Sequence, residues 1–89
     1  MRKLTKKEQD LIIDFGALNY QASKIAIILE VDLNEIKTEL QDINSEVYKL
    51  YRKGKYMADY KIDLKIFELA QTGDMKAIER FEKQKQGQL

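Results

Sequence analysis

The fold of this chain is decided by one stretch of its N-terminal half, which reads Ile25-Ala26-Ile27-Ile28-Leu29-Glu30-Val31-Asp32-Leu33-Asn34-Glu35-Ile36. The small side chain of Ala26 allows the next helix to cross closely over the helix that contains it. Leu29, Val31 and Ile36 then fill the angle between the two helices. The turn position is Glu30, where such motifs usually have glycine, and a left-handed backbone is strained for residues other than glycine and asparagine. The spacing predicts a helix-turn-helix.

Helices are expected along the whole chain, because it contains no proline and its apolar residues recur at helical spacing without strand-like alternation. Thr5 with Glu8 predicts a capping box at the first helix. Asp32 predicts the cap of the third helix, and either Asn44 or Ser45 that of the fourth. Helices are therefore predicted at about residues 6–18, 22–29, 33–41, 46–71 and 75–85.

The helix ends and faces carry further predictions. Asn19 is predicted to end the first helix in a left-handed conformation, Gly73 to end the fourth, and Asp74 to cap the fifth. Leu18 and Ile43 are expected to face inward. Gly54, inside the fourth helix, indicates either a hinge or a close helix crossing, since glycine there costs about 1 kcal/mol relative to alanine.

The length of the fourth helix sets the predicted architecture. A helix of about 26 residues is roughly 39 Å long, which a three-helix head cannot cover. The fifth helix is therefore expected to fold back on it, and other copies of the chain to pack against it. The predicted all-α fold is a helix-turn-helix head at residues 1–44, an oligomerising helical hairpin at 45–86 and a frayed tail at 87–89.

Composition excludes several classes of function. The chain has no cysteine and no histidine, so thiolate metal sites, disulfides and the commonest general base are absent. With no stand-out pair of carboxylates, we expect no enzyme activity, no metal and no cofactor. The longest apolar run, Ile25–Leu29, is too short to cross a membrane, and the N-terminus has no signal-peptide pattern. A cytoplasmic location is expected.

Charge is unevenly distributed along the chain, although the formal net charge is only +1. Residues 1–29 carry a net +2, residues 30–46 a net −5 and residues 47–65 a net +4. So small a total gives little support to nucleic-acid binding. The acidic middle and the basic segment after it are the informative features.

If the helix-turn-helix binds double-stranded DNA, its second helix, which is the third helix of the chain, enters the major groove with its N-terminal part. The expected base contacts come from Asn34, Lys37, Thr38 and Gln41. The expected phosphate contacts come from Gln21, Ser23 and Lys24, at the start of the helix before it. A basic arm is also predicted, formed by Arg2, Lys3, Lys6 and Lys7.

The alternative for this head is a packing or partner-binding role without DNA. Four acids lie on or beside the helix that would approach phosphates, and like charge there opposes binding. These acids are Asp32, Glu35, Glu39 and Asp42.

Bases and tyrosines alternate in the first half of the fourth helix, with no acid between Glu46 and Asp59. The bases are Lys49, Arg52, Lys53 and Lys55, and the tyrosines are Tyr48, Tyr51, Tyr56 and Tyr60. Three interpretations are open. The stretch contacts nucleic acid by phosphate binding and stacking, it is a solvated or interface face, or it meets the acidic middle of another copy.

Three segments in this order resemble the small subunit of phage terminases, over about Asp10 to Lys85. The first is Leu18-Asn19-Tyr20-Gln21-Ala22-Ser23-Lys24-Ile25-Ala26-Ile27-Ile28-Leu29. The second is Glu46-Val47-Tyr48-Lys49-Leu50-Tyr51-Arg52-Lys53-Gly54-Lys55. The third is Ile66-Phe67-Glu68-Leu69-Ala70-Gln71-Thr72-Gly73-Asp74-Met75-Lys76-Ala77-Ile78, where one helix ends at Gly-Asp and another follows.

The resemblance implies a non-catalytic DNA-packaging factor of a bacteriophage. Such a protein binds the viral genome, assembles as a ring and acts with the terminase large subunit. By position, it implies oligomer contacts at Tyr51, Met57, Ala58, Ile62 and Ile66. Two other functions remain open from the residues: a small helix-turn-helix transcriptional regulator, and a structural or adaptor module that binds only proteins.

Overall fold

The computed structural model describes residues 1–73, 76, 78–80 and 82–83, and among these it contains helices and no strand. The predicted all-helical class is thus confirmed. The helices with defined bounds are α1 (Lys6–Ala17), α2 (Ala22–Leu29), α3 (Leu33–Gln41) and α4 (Glu46–Gln71). Residues 76, 78–80 and 82–83 are also helical. The predicted Asp74 cap and the tail at 87–89 lie outside the described residues.

The chain divides into two compact units, Met1–Met57 and Ala58–Leu89. The first unit contains α1, α2, α3 and the N-terminal part of α4, whereas the sequence interpretation assigned all of α4 to a hairpin beginning at residue 45. The helical core of the first unit therefore has four contributors rather than three.

Side-chain caps set the start of three helices, as predicted. The Thr5 hydroxyl accepts a hydrogen bond from the Glu8 backbone N–H at 3.1 Å, and the Glu8 carboxylate accepts one from the Thr5 N–H at 3.0 Å. The Asp32 carboxylate accepts from the Glu35 N–H at 3.2 Å. Of the two candidates for α4, Ser45 is the cap, since its hydroxyl accepts from the Tyr48 N–H at 3.1 Å.

Two left-handed residues end α1 and α2. Asn19 has φ 58° and Glu30 has φ 56°, which confirms the Asn19 prediction and places the strained turn at Glu30. After α2, the N–H of Val31 donates to the Ala26 carbonyl at 3.0 Å and that of Glu30 to the Ile27 carbonyl at 3.3 Å. This is the Schellman arrangement. The same pair of bonds follows α1.

Each helix of the first unit contributes one fully buried side chain to a single core. These side chains are Ile12, Ile25, Ile36 and Val47. Two inward predictions are wrong: Leu18 is 60% exposed and Ile43 is 66% exposed. Leu18 is the residue at which α1 ends, and the backbone becomes extended at Asp42. Both side chains therefore lie beyond the helical register that would have pointed them at the core.

Two glycines bring the backbones of α1 and α4 into contact. A Cβ atom on Gly54 would overlap the carbonyl oxygen of Ile13 and lie 2.7 Å from its carbonyl carbon. A Cβ on Gly16 would overlap the carbonyl oxygen of Tyr51 and lie 2.8 Å from its carbonyl carbon. Because α4 continues as helix through Gly54, this glycine marks a close crossing and not a break.

Gly54→Ala should destabilise the protein, although alanine is the better helix former by about 1 kcal/mol. The added methyl group must push the two backbones apart, and overpacking of this kind typically costs about 1–3 kcal/mol. Urea unfolding followed by circular dichroism measures the change. The neighbouring exposed variant Lys53→Ala should stay within about 0.5 kcal/mol of wild type. A more stable Gly54→Ala protein would contradict the crossing.

Candidate nucleic-acid interface

The four predicted base-contacting residues share the outward face of α3. Their side chains are all exposed, and Ile36 on the opposite face is fully buried. At about 100° of rotation per residue, the four fall within an arc of about 100°. These residues are Asn34, Lys37, Thr38 and Gln41. The structure thus presents an unbroken polar surface here.

The acids of this region lie on the other flank of α3 and are engaged locally. The Asp32 carboxylate caps α3, and the Asp42 carboxylate accepts from the Asn44 N–H at 2.9 Å. The N-terminal amino group of Met1 lies 3.7 Å from the carboxylates of both Glu35 and Glu39. The sequence suggested that these acids would face the phosphates, but helical rotation separates them from the polar face.

The Thr38 hydroxyl already has a donor role inside the helix. It donates to the Asn34 carbonyl oxygen at 2.9 Å. Its lone pairs and its methyl group remain available to a ligand. Thr38 is therefore suited to contact a thymine methyl or to accept one hydrogen bond.

The predicted phosphate contacts lie together at the start of α2. Gln21 is the N-cap residue and makes no side-chain cap bond. With Ser23 and Lys24 it lines a shallow depression of about 410 Å³ that also includes Tyr20. The Lys24 ammonium lies 4.2 Å from the centre of the Tyr20 ring, a cation–π contact at the start of α2. This arrangement suits an anion.

Tyr20 is the residue of this region that the sequence interpretation missed. Its ring stacks on Phe15 with 5.6 Å between ring centres, and its carbonyl accepts from the Tyr51 hydroxyl at 3.1 Å. The position of Lys24 therefore depends on core contacts. The spacing of Tyr20 and Lys24, four residues apart, was a usable signal only once a helix start between them was known.

The N-terminal segment is docked on the helices and does not form a separate arm. Leu4 is buried in the core. Arg2 donates to the Glu8 carboxylate at 2.8 Å and to the Leu29 carbonyl at 3.3 Å, and Lys6 pairs with Asp10 at 3.0 Å. The hydrogen bond from Arg2, helped by the Thr5 N–H, lowers the pKa of Glu8 to about 2.

The five residues proposed as oligomer contacts do not form one group. Tyr51 belongs to the first unit, where it packs against the core and its hydroxyl bonds to Tyr20. Met57 is exposed and Ala58 half-buried. Ile62 is 52% exposed, and it lies with the buried Ile66 in a groove of the second unit.

This groove has an apolar floor and a basic rim. Its volume is about 450 Å³. It is lined by Lys61, Ile62, Lys65, Ile66, Leu69 and Arg80. Its apolar floor suits a partner's apolar side chains, and its three cations favour a partner with negative charge at the edges.

Comparison with known proteins finds no relative. No protein-family model matches the sequence, and no curated protein or solved structure is significantly similar to it. Among the described residues, no helix is both long and apolar enough to cross a membrane, and no three acidic, histidine or cysteine side chains are grouped as metal ligands. The function must therefore be inferred from the surfaces described above.

The Arg2–Glu8 contact predicts a pH-dependent stability. The pKa of Glu8 is about 2 in the folded protein, compared with an ordinary 4.5. Because the folded value is the lower one, the contact stabilises the protein above about pH 4.5, and this stabilisation is lost as the pH falls towards 2. Glu8→Gln should therefore be less stable than wild type at pH 7, with the difference shrinking between these two pH values.

Urea unfolding at a series of pH values measures this difference. Asp10→Asn, which removes the exposed pair with Lys6, is the matched control, because it takes one carboxylate from the same helix and leaves the Arg2–Glu8 contact in place. A Glu8→Gln difference that stays constant across the range would show that the Arg2–Glu8 contact is not formed in solution.

Proposed function

We propose that this protein is a non-catalytic double-stranded DNA-binding protein whose α2, turn and α3 act as a helix-turn-helix, with α3 in the major groove. The observation that carries the proposal is the outward face of α3, which holds only polar residues, Asn34, Lys37, Thr38 and Gln41. Asn and Gln can pair with adenine through two hydrogen bonds, and Lys can reach the acceptors of guanine.

The helix-turn-helix assignment is supported by the junction between α2 and α3. Ala26 is buried, as the close crossing of such a motif requires. The left-handed Glu30 and the Schellman bonds reverse the chain within a short turn. Val31 follows the turn and packs against the core, which secures the angle between the helices.

Phosphate binding at the start of α2 would set the register of the head on DNA. Lys24, Ser23 and Gln21 lie together there, and contacts of this kind orient a recognition helix without reading sequence. Glu35 and Glu39 lie on the other flank of α3 and share the Met1 amino group, which reduces the electrostatic objection to this orientation.

The biological role we propose is that of a phage terminase small subunit, which recognises viral DNA in the host cytoplasm during genome packaging. Support comes from the three sequence segments that resemble this family. The proposal includes a homo-oligomer, for which the groove at Ile62 and Ile66 offers an apolar contact surface, and cooperation with a terminase large subunit. Many weak DNA contacts in a ring would add through multivalency.

Lys37→Ala should weaken binding to a preferred duplex by a factor of about 5–150, the effect of losing one base contact worth about 1–3 kcal/mol. Lys24→Ala should weaken binding to all duplexes alike and reduce the slope of log affinity against log salt by about 1. Fluorescence anisotropy with a duplex selected from a randomised pool, over a salt series, measures both effects.

The matched control is Lys76→Ala, which removes the same charge from an exposed position outside the groove and should change neither quantity more than twofold. Equal losses for Lys37→Ala and Lys76→Ala would reject α3 as the reading helix. Failure of the wild-type protein to bind any duplex at low salt would favour the protein-only adaptor. A dimer that binds a short palindrome would favour the transcriptional regulator.

Ile62→Asp should lower the molar mass in solution, because it introduces a charge into the apolar floor of the proposed subunit contact. Static light scattering at micromolar concentration measures the mass. Ile27→Asp is the matched control, since Ile27 is 78% exposed on α2 of the other unit, and it should leave the mass unchanged. A wild-type protein that is strictly monomeric would contradict the assembly.

A further inference from the structure

A second charged surface lies on α4, within the first unit and apart from the face of α3. At about 100° per residue, four of its side chains fall within an arc of about 100° centred opposite the core-facing Val47 and Gly54. They are Lys49, Arg52, Lys53 and Tyr56, and we call this surface the basic–tyrosine face. Lys49 and Lys53 are exposed, and Tyr56 is 60% exposed.

The guanidinium group on this face is ordered in advance. The Arg52 guanidinium carbon lies 5.3 Å from the centre of the Tyr48 ring, within the range of a cation–π contact. A guanidinium in a cation–π contact can still donate its N–H groups to phosphate oxygens. Less side-chain entropy is then lost when an anion binds.

The sequence of α4 has no acidic residue between Glu46 and Asp59. Glu46, the acid at its N-terminal end, is engaged across the α1–α4 crossing, where its carboxylate accepts from the Gln9 side-chain amide at 2.8 Å. The face therefore combines three basic side chains, none of which forms a salt bridge among the described residues, with an aromatic ring that is 60% exposed.

The acidic middle of another copy is a poor match for this face. Asp32 and Asp42 are used as caps, and Glu35 and Glu39 lie beside the Met1 amino group. Burying them against α4 of a neighbour would break these local contacts. A plain solvated face would account for the lysines, whereas a nucleic-acid site accounts for the lysines and the exposed Tyr56 ring together.

We propose that the basic–tyrosine face is a separate site for single-stranded nucleic acid. Lys49, Arg52 and Lys53 would bind successive phosphates, and an unpaired base would stack on Tyr56. Single strands are favoured over duplex because the bases of a duplex are already stacked, so that Tyr56 could add nothing there. This site is independent of duplex binding by α3 and of assembly.

Anisotropy of a labelled oligothymidylate with the full chain, over a salt series, tests the proposal. Three phosphate contacts predict a slope of log affinity against log salt of about −2. The double variant Lys49→Ala/Lys53→Ala should reduce it to about −0.7. Tyr56→Ala should weaken binding about tenfold, whereas Tyr56→Phe, which keeps the ring, should stay within twofold.

The matched control is Lys7→Ala/Lys76→Ala, which removes equal charge from exposed positions outside this face and outside the groove. Circular dichroism confirms that each variant is folded. The proposal is supported if only the variants of the basic–tyrosine face lose oligothymidylate while binding of duplex by α3 persists. It is overturned if both double variants behave alike, or if the variants of this face lower the molar mass and leave oligothymidylate binding unchanged.

Discussion

The contact between the backbones of α1 and α4 at Gly16 and Gly54 is the constraint on which the first unit depends. With no side chain between them, the helices approach closely enough for Val47 to enter the same core as Ile12. The crossing also brings the Tyr51 hydroxyl to the carbonyl of Tyr20. Tyr20 in turn contacts the Lys24 ammonium through its ring. The start of α2 is therefore linked through Tyr20 to Tyr51 on α4.

The second constraint is the pair of left-handed turns at Asn19 and Glu30. For a residue such as Glu30, which is neither glycine nor asparagine, this conformation costs about 1–2 kcal/mol. In each case the following residue, Tyr20 or Val31, packs against the core, and burial of such a side chain contributes about 1.5–3 kcal/mol when complete. Partial burial is therefore of the right size to offset the strain. The chain tolerates Glu30 where glycine is usual because Val31 is anchored.

Local signals in the sequence were sufficient for the helices and their caps. Thr5, Asp32 and Ser45 act within three residues of their own positions, so their roles follow from spacing alone. Contacts between distant residues were not predictable in this way. Nothing in the sequence distinguishes a hinge at Gly54 from a crossing, or shows that Arg2 reaches Leu29. The polar face of α3 was predictable from helical rotation. The hydrogen bonds and ion pairs made by the acids on the other flank of α3 were not.

The distribution of charge over the surface says more about possible partners than the formal net charge does. Caps and ion pairs occupy Asp32, Asp42, Glu8 and Glu35 within the fold, whereas Lys37, Lys49 and Lys53 remain on exposed faces. At an ionic strength of 0.1 M, screening acts over about 10 Å. A phosphate at one face therefore responds most strongly to the side chains nearest to it. A chain with a formal charge of +1 can accordingly present a locally basic surface where its lysines and arginines are grouped apart from its carboxylates.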